Sequence, residues 1–252
     1  MAWILDVDGV VWLAGTAILG SPEAIHRLRA AGQQVVFLSN NSGPTVAEYT
    51  AALRKAGVPA EAGDLVTSAQ AAASMLEPGQ RAAVVGADGI HEALGERGVE
   101  VVPASAAPDA VVVGRSVVLD YDELAAAASA IRQGARFVAT NTDATYPTGS
   151  GPLPGAGAVV AFVATASGKQ PEVAGKPHKP VADLVRARFG PPRVMIGDRL
   201  DTDGAFATAV GAPFALVLSG SSTRADLAAA DPQPDIVADD LAHAVDQLLS
   251  DP

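Results

Sequence analysis

Two aspartates two residues apart are the first candidates for chemistry in this chain. Asp6 and Asp8 follow the apolar run at residues 3–5, and residues i and i+2 of an extended segment face the same way. Both carboxylates can therefore project into one site, where Gly9 would let a ligand approach the backbone closely. An acidic turn after a strand is more often simply solvated, so this pair alone does not distinguish a catalytic role from a structural one.

Three further polar segments carry the remaining candidates. Residues 39–43, Ser-Asn-Asn-Ser-Gly, offer hydroxyl, amide and backbone donors at a helix entry, which suit an anion; a capped polar turn is the alternative. Lys176, one of four lysines, could hold an anion or balance a carboxylate, although a surface lysine is the simpler interpretation. Residues 197–203 contain three acids after an apolar run, which is typical of a metal site with oxygen ligands. The alternative is that Asp201 or Thr202 caps a helix.

Convergence of the acids would create a need for a cation. Four aspartates from these segments are the candidates for one shared site: Asp6, Asp8, Asp198 and Asp203. If they meet, each like-charged pair near 4 Å costs on the order of 4 kcal/mol at an effective dielectric of about 20, and a phosphate dianion adds to the repulsion. The chain has no cysteine, so carboxylate and carbonyl oxygens are the expected ligands and Mg²⁺ is the expected ion.

The elements that must position these residues alternate between strand and helix. Seven short apolar runs end in polar or glycine turns, and continuous apolar runs suit parallel strands covered on both faces. They lie at residues 3–5, 35–38, 83–85, 111–113, 137–139, 194–196 and 215–218. Helix patterns follow over 21–32, 45–57 and 180–190, the first with Ser21 as its expected N-cap and Pro22 in its first turn. This alternation predicts the α/β class, with a doubly wound parallel sheet.

The polar clusters occur only after predicted strands in the outer parts of the chain. A length of 252 residues allows one large domain or two unequal ones. Ligands of an open α/β sheet bind outside the carboxyl ends of its strands. We therefore assign residues 1–78 and 170–252 to a catalytic core, and residues 79–169 to an inserted α/β domain.

The overall composition excludes several classes of function. Lys and Arg total 17 against 28 Asp and Glu, and this net charge of −11 opposes a broad nucleic-acid or anionic-membrane surface. The absence of cysteine removes disulfides, zinc–thiolate sites and thiol nucleophiles. The longest weakly polar stretch, residues 155–168, is shorter than the roughly 20 residues of a membrane helix and predicts a buried helix. We expect a cytoplasmic protein that binds neither nucleic acid nor membrane.

The four segments, in this order, resemble the motifs of the haloacid dehalogenase-like (HAD) phosphohydrolases. The matching segments are residues 6–12 (DVDGVVW), 38–42 (LSNNS), 175–177 (GKP) and 197–203 (GDRLDTD). Their spacing is similar to that of subfamily IIA, the NagD-like and p-nitrophenylphosphatase-like enzymes, in which a large α/β cap of the C2 type lies between the second and third motifs. The resemblance implies a Rossmann-like core with residues 79–169 as the cap.

The resemblance also implies roles for individual residues. Asp6 would be the nucleophile that forms an aspartyl-phosphate, and Asp8 would protonate the leaving oxygen and then deprotonate water. The phosphoryl group would be held by residues of the second and third motifs: Ser39, Asn40, Asn41 and Lys176. Mg²⁺ would be held by carboxylates and one backbone carbonyl: Asp6, the carbonyl of Asp8, Asp198, and Asp203 either directly or through water.

The implied activity is that of a Mg²⁺-dependent phosphatase acting on a small phosphorylated metabolite. A receiver-like phosphoacceptor module is the alternative, although such a module needs no second acid at Asp8 and no inserted cap. Glycerol phosphate, phosphoglycolate, sugar phosphates and nucleoside monophosphates are all possible substrates of such an enzyme, and glycerol 3-phosphate is favoured by resemblance alone.

Residues 140–143, Thr-Asn-Thr-Asp, either face the leaving group or form a capped turn. We also expect a homodimer through the cap, and we interpret residues 219–223 as a turn that does not touch the chemistry.

Overall fold

The computed structural model describes residues 1–250, in which helices and strands alternate along the chain. The strands are β1 (Ala2–Asp6), β2 (Trp12–Leu13), β3 (Thr16–Ala17), β4 (Gln34–Ser39), β5 (Leu65–Thr67), β6 (Arg81–Val85), β7 (Glu100–Val101), β8 (Ala110–Val113), β9 (Arg136–Ala139), β10 (Thr145–Thr148), β11 (Gly151–Pro154), β12 (Glu172–Val173), β13 (Val194–Gly197), β14 (Phe214–Val217) and β15 (Ile236–Ala238). The α-helices are α1 (Ser21–Ala30), α2 (Val46–Lys55), α3 (Ser68–Ala73), α4 (Asp88–Glu96), α5 (Tyr121–Arg132), α6 (Ala156–Ser167), α7 (Lys179–Phe189), α8 (Ala205–Val210) and α9 (Leu241–Ser250).

Six parallel strands form the sheet that carries the motifs. Their order is β15-β14-β13-β1-β4-β5, and every neighbouring pair is parallel. Trp3 in β1 pairs with Val194 of β13 on one side and with Val35 of β4 on the other. The chain adds β4 and β5 on one side of β1 and β13, β14 and β15 on the other. The strand order therefore reverses at β1, and an open α/β sheet binds its ligands at such a reversal. The predicted α/β class with a parallel sheet is confirmed.

A second parallel sheet is formed by strands between residues 81 and 173. Its order is β12-β9-β8-β6-β7. Helices α5 and α6 cover one face through buried residues such as Leu124 and Val163, and the other face joins the core beneath the six-stranded sheet. Strand β12, which follows the expected boundary at residue 169, still pairs with β9. The domain bounds 1–78, 79–169 and 170–252 stay predictions, and we keep the name cap for residues 79–169.

Local hydrogen bonds decide where the early helices begin. Thr45 caps α2 in a reciprocal capping box with Glu48. The predicted N-cap role of Ser21 is wrong, because Ser21 is the first residue of α1 and Gly20, at φ 82°, takes the capping position. The buried Ser21 hydroxyl donates instead to the carbonyl of Val11 (2.6 Å). The hydroxyl therefore satisfies a buried carbonyl of the first motif instead of capping the helix.

The apolar stretch at 155–168 forms the predicted helix, α6, but the expectation that it is buried holds for one face only, since Phe162 is 42% exposed. Across residues 1–250, no helix combines the length and the apolar character needed to span a membrane. A β-hairpin of β10 and β11 precedes α6, and the sequence patterns did not predict it.

Candidate active site

The motif residues meet in one cleft at the carboxyl ends of β1, β4 and β13. The cleft encloses about 640 Å³ of empty volume, including its open mouth. All the predicted site residues line it: Asp6, Asp8, Ser39, Asn40, Asn41, Lys176, Asp198 and Asp203. Segments that are far apart in sequence are therefore brought together by the strand order around β1.

Three buried carboxylates lie close enough together to share a cation. One oxygen each from Asp6, Asp198 and Asp203 lies within 4.8 Å of the other two, and none of these residues is more than 8% exposed. Among the described residues 1–250, Oδ1 of Asp198 is buried without a hydrogen-bond partner. A buried, unpartnered carboxylate oxygen beside two other carboxylates fits a divalent cation with oxygen ligands.

Burial also controls protonation in this group of carboxylates. Desolvation raises the pKa of Asp6 well above its usual value, against the opposing charge of Lys176. Desolvation, reinforced by the negative charge of Asp203, raises the pKa of Asp198 to about 6. Both shifts arise because the carboxylates lose water without gaining enough positive charge, and a divalent cation would supply that charge.

Lys176 is a buried cation between two of these carboxylates. Its Nζ lies 2.5 Å from Oδ1 of Asp6 and 2.7 Å from Oδ1 of Asp203, and its side chain is 3% exposed. Burial acts to lower the pKa of Lys176, but the charges of Asp203 and Asp6 outweigh it and raise the pKa above its ordinary value. The alternative of a surface lysine is therefore wrong.

A stacked tryptophan–tyrosine pair supports Asp8 and Ser39. The indole N–H of Trp12 donates to Oδ1 of Asp8 (2.9 Å), and the Tyr49 hydroxyl donates to Oγ of Ser39 (2.9 Å). The two rings are stacked, with centroids 5.6 Å apart. Burial raises the pKa of Asp8, which favours a proton donor. Oγ of Ser39 also accepts from the backbone N–H of Asn41 (3.0 Å), so its own hydrogen can point into the cleft.

The side chain of Asn40 connects the core strands to the cap. Its Nδ2 donates to Oδ2 of Asp143 (3.1 Å) and to the carbonyl of Lys176 (3.2 Å), while its Oδ1 accepts from the backbone N–H of Lys176 (2.8 Å). The loop at 140–143 thus faces the motif residues, and Asn141 and Asp143 line the cleft. The capped-turn interpretation also applies, since Oδ1 of Asn141 accepts from the backbone N–H of Asp143 (3.0 Å).

Residues 219–223 contact the carboxylate cluster, so the prediction that this turn does not touch the chemistry is wrong. The backbone N–H of Ser221 donates to Oδ2 of Asp198 (2.6 Å). A Cβ at Gly220 would lie 2.1 Å from the same oxygen, so only glycine fits there without displacing Asp198. The physical reason is that β14 pairs with β13 and brings the turn after it over the end of its neighbour.

Two cleft residues from the cap escaped the sequence analysis. Arg115 follows β8, and its guanidinium carbon lies 4.0 Å from the ring centre of Tyr146 in β10. Nδ2 of Asn41 donates to the Tyr146 hydroxyl (3.4 Å), which ties this pair to the loop after β4. Neither residue belongs to a motif, and no spacing in the sequence relates residue 115 to residue 146.

Comparisons with known proteins agree with this geometry. A family model described as haloacid dehalogenase-like hydrolase matches residues 3–100, and one described as HAD-hydrolase-like matches residues 173–244. The curated D-glycerol 3-phosphate phosphatase of Mycobacterium tuberculosis is 38% identical over 258 residues, covering 98% of this chain and 72% of the relative. A solved glycerol phosphate phosphatase from M. tuberculosis in complex with magnesium superposes with a TM-score of 0.89 at 36% identity, covering 95% of this chain and 74% of that chain. NagD from E. coli K-12 superposes with a TM-score of 0.87 at 30% identity, covering 96% of each chain.

Proposed function

The chain belongs to the haloacid dehalogenase-like hydrolases, and from this premise we propose that it is a Mg²⁺-dependent phosphatase that hydrolyses small phosphomonoesters through an aspartyl-phosphate. The NagD-like resemblance is confirmed by the relatives. The observation that carries the proposal is the buried cluster of Asp6, Asp198 and Asp203 around Lys176, with Asp8 held separately by Trp12. This arrangement provides a nucleophile, a cation site and a distinct proton donor in one cleft.

Asp6 and Asp8 divide the chemistry between them. Lys176 holds one oxygen of Asp6, which leaves the other free to attack phosphorus as the bond to the leaving oxygen breaks. Asp8 gives its proton to that leaving oxygen, and the raised pKa of Asp8 suits this step. Asp8 then takes a proton from water, which attacks phosphorus, releases inorganic phosphate and restores the carboxylate of Asp6.

The residues that would hold the cation and those that would hold the phosphoryl group lie at the same end of the cleft. When bound, Mg²⁺ neutralises charge on the attacking carboxylate and the phosphoryl oxygens. The groups that would hold it are Asp6, the backbone carbonyl of Asp8, Asp198 and Asp203, which fit an ion with oxygen ligands. The Ser39 hydroxyl, oriented by Tyr49, and the amide of Asn41 would donate to the phosphoryl oxygens. Asn40 would act mainly by positioning Lys176, because its side-chain amide already hydrogen-bonds the backbone N–H and the backbone carbonyl of that residue.

The substrate class follows from the relatives and from the size of the cleft. A receiver-like module is disfavoured, since the relatives are named phosphatases and a module that only accepts a phosphoryl group has no use for Asp8. A small phosphorylated molecule fits the cleft, and glycerol 3-phosphate is the first compound to try because the mycobacterial relative carries that name.

Turnover of p-nitrophenyl phosphate tests this function. The purified chain should release phosphate over many turnovers with Mg²⁺ and lose that activity in EDTA. Asp6→Asn should abolish release, whereas the control Asp201→Asn, at an exposed acid of the 197–203 motif that pairs with Arg199, should retain it. Multiple turnover in Asp6→Asn, or full activity in EDTA, would end the proposal.

A homodimer through the cap and a cytoplasmic location complete the proposal. Exposed apolar side chains of the cap support the dimer: the rings of Tyr121 and Phe162 are in contact at the surface, and three more precede α5, Val117, Val118 and Leu119. A chain without cysteine suits a reducing compartment. Sedimentation of the wild-type chain and of Val118→Asp tests the dimer, which requires that only the wild type sediments as two copies. Cell fractionation tests the location.

A further inference from the structure

Arg115 is a cation in the cleft that the phosphoryl chemistry does not use. Within residues 1–250 its guanidinium makes no ion pair and donates no hydrogen bond; its backbone N–H donates to Oγ of Ser42 (3.4 Å). The side chain is half-buried in the cleft lining, where it lies over the ring of Tyr146. A guanidinium removed in part from water with its donors unused is suited to an anionic ligand.

The guanidinium is held in place by the loop that binds the phosphoryl end. Tyr146, on which it stacks, accepts a hydrogen bond from Asn41. A Cβ at Gly43 would lie 3.3 Å from Nη1 of Arg115, so the arginine rests against the backbone of this loop. Its backbone is anchored to Ser42 in the same loop. The cation is therefore positioned before any ligand arrives, which lowers the entropy cost of binding.

Arg115 and Tyr146 belong to the cap and line the same cleft as the core residues that would hold the phosphoryl group. A substrate whose phosphoryl group lies against the core therefore turns its leaving group toward the cap, where Arg115 lies. The second arginine of the lining, Arg199, is already engaged, because it donates twice to the carboxylate of Asp201 (3.1 and 2.8 Å). Arg115 is thus the arginine of this cleft that is available to a substrate.

We propose that Arg115 and the hydroxyl of Tyr146 bind a carboxylate on the leaving group, so that the preferred substrates are phosphomonoesters of small hydroxy acids. This inference rests on the proposed phosphatase function and narrows its substrate class. A polyol could accept hydrogen bonds from Arg115 but would leave its charge unbalanced, whereas a carboxylate accepts two hydrogen bonds from a guanidinium and balances its charge.

Two substrates that differ only at the proposed contact provide the test. Glycerol 3-phosphate carries a CH₂OH group where 3-phosphoglycerate carries a carboxylate. The wild-type enzyme should show a kcat/KM about tenfold to a hundredfold higher for 3-phosphoglycerate, as expected for a hydrogen-bonded charge pair. Arg115→Met should lower this ratio at least about tenfold, mainly because the carboxylate substrate binds more weakly and its KM rises. The control Arg132→Met removes an exposed cap arginine that does not line the cleft and should keep the wild-type ratio.

A second measurement does not depend on either substrate. D-glycerate should inhibit hydrolysis of p-nitrophenyl phosphate by the wild type and inhibit Arg115→Met at least about tenfold more weakly. The inference is overturned if the wild type hydrolyses both phosphates equally well, or if Arg115→Met lowers both kcat/KM values by the same factor; phosphatase function survives both results. Failure to hydrolyse any of the three phosphates would overturn the phosphatase function together with the inference.

Discussion

Replacing Lys176 with methionine removes the one side-chain cation bonded to the carboxylate cluster among the described residues. The lysine is 4% exposed and bonds both Asp6 and Asp203, which are 8% and 1% exposed. Methionine preserves most of the volume but leaves these carboxylates unbalanced. We therefore expect the metal-free protein to lose stability, and to regain it when Mg²⁺ is added.

The size of the loss follows from the burial of the three groups. Removing one partner of a buried ion pair costs about 3–5 kcal/mol. Proton uptake by Asp6, whose pKa is already raised by burial, keeps the loss near the lower end of this range, about 3 kcal/mol. For a chain of this length the melting temperature should fall by roughly 6–12 °C. Because the pKa of Asp6 is raised in the folded protein, the folded variant binds more protons than its unfolded chain. Its free energy of unfolding should therefore decline as the pH rises from the pKa of Asp6 in the unfolded chain to the higher pKa in the folded protein.

Thermal melts of the wild type and Lys176→Met, each in EDTA and in Mg²⁺, measure both effects. The Mg²⁺-dependent rise in melting temperature should be larger in the variant, because a bound cation replaces the missing charge. Lys55→Met, at an exposed lysine that ends α2, is the matched control and should melt like the wild type. The reasoning is refuted if Lys176→Met melts within about 2 °C of the wild type in EDTA, or if Mg²⁺ stabilises both proteins equally.

Three further substitutions test other parts of the site and fold. Gly220→Ala places a Cβ 2.1 Å from Oδ2 of Asp198, so the Mg²⁺ concentration for half-maximal activity should rise about 10- to 100-fold, whereas Gly95→Ala, with open space around it, should leave that concentration unchanged. Asp8→Asn should lower kcat about 10²- to 10⁴-fold, and mass spectrometry after an acid quench should detect phosphorylated enzyme. Thr45→Ala removes the capping box of α2 and should lower the free energy of unfolding in urea by about 1 kcal/mol without changing kcat.

The strands and the acids at their ends could be predicted because their signals are local. An apolar run such as residues 194–196 can only be a strand covered on both faces or a short helical segment, and its length favours the strand. The polar residues that follow it then lie at the ligand-binding edge of any parallel sheet. Asp6 and Asp198 therefore needed no knowledge of side-chain packing to be selected as candidates, and the cleft contains both.

The remaining residues of the cleft depend on contacts that leave no local pattern. Arg115 and Tyr146 approach each other across a loop and a hairpin of the cap, and both strands of that hairpin contain proline, which argues against a strand in a sequence pattern. Tyr49 packs into the core from the buried face of α2, and its hydroxyl also reaches Ser39. The turn at 219–223 gains its role only from the order of β13 and β14 in the sheet. Each of these functions depends on tertiary neighbours and not on residue spacing.

The two ends of a substrate would meet different parts of this molecule. The carboxylates and Lys176, which would act on phosphorus, are buried at the ends of parallel strands, where a small displacement would break several hydrogen bonds at once. Arg115, in the loop after β8, and Tyr146, in the hairpin of β10 and β11, belong to the cap and are half-buried, and surface loops and hairpins tolerate substitution better than buried strand ends. Changes in the cap can therefore alter which leaving group fits without disturbing the groups that break the bond. For this reason, the substrate of this chain has to be inferred from its own cap residues, while the reaction can be inferred from the motifs that it shares with its relatives.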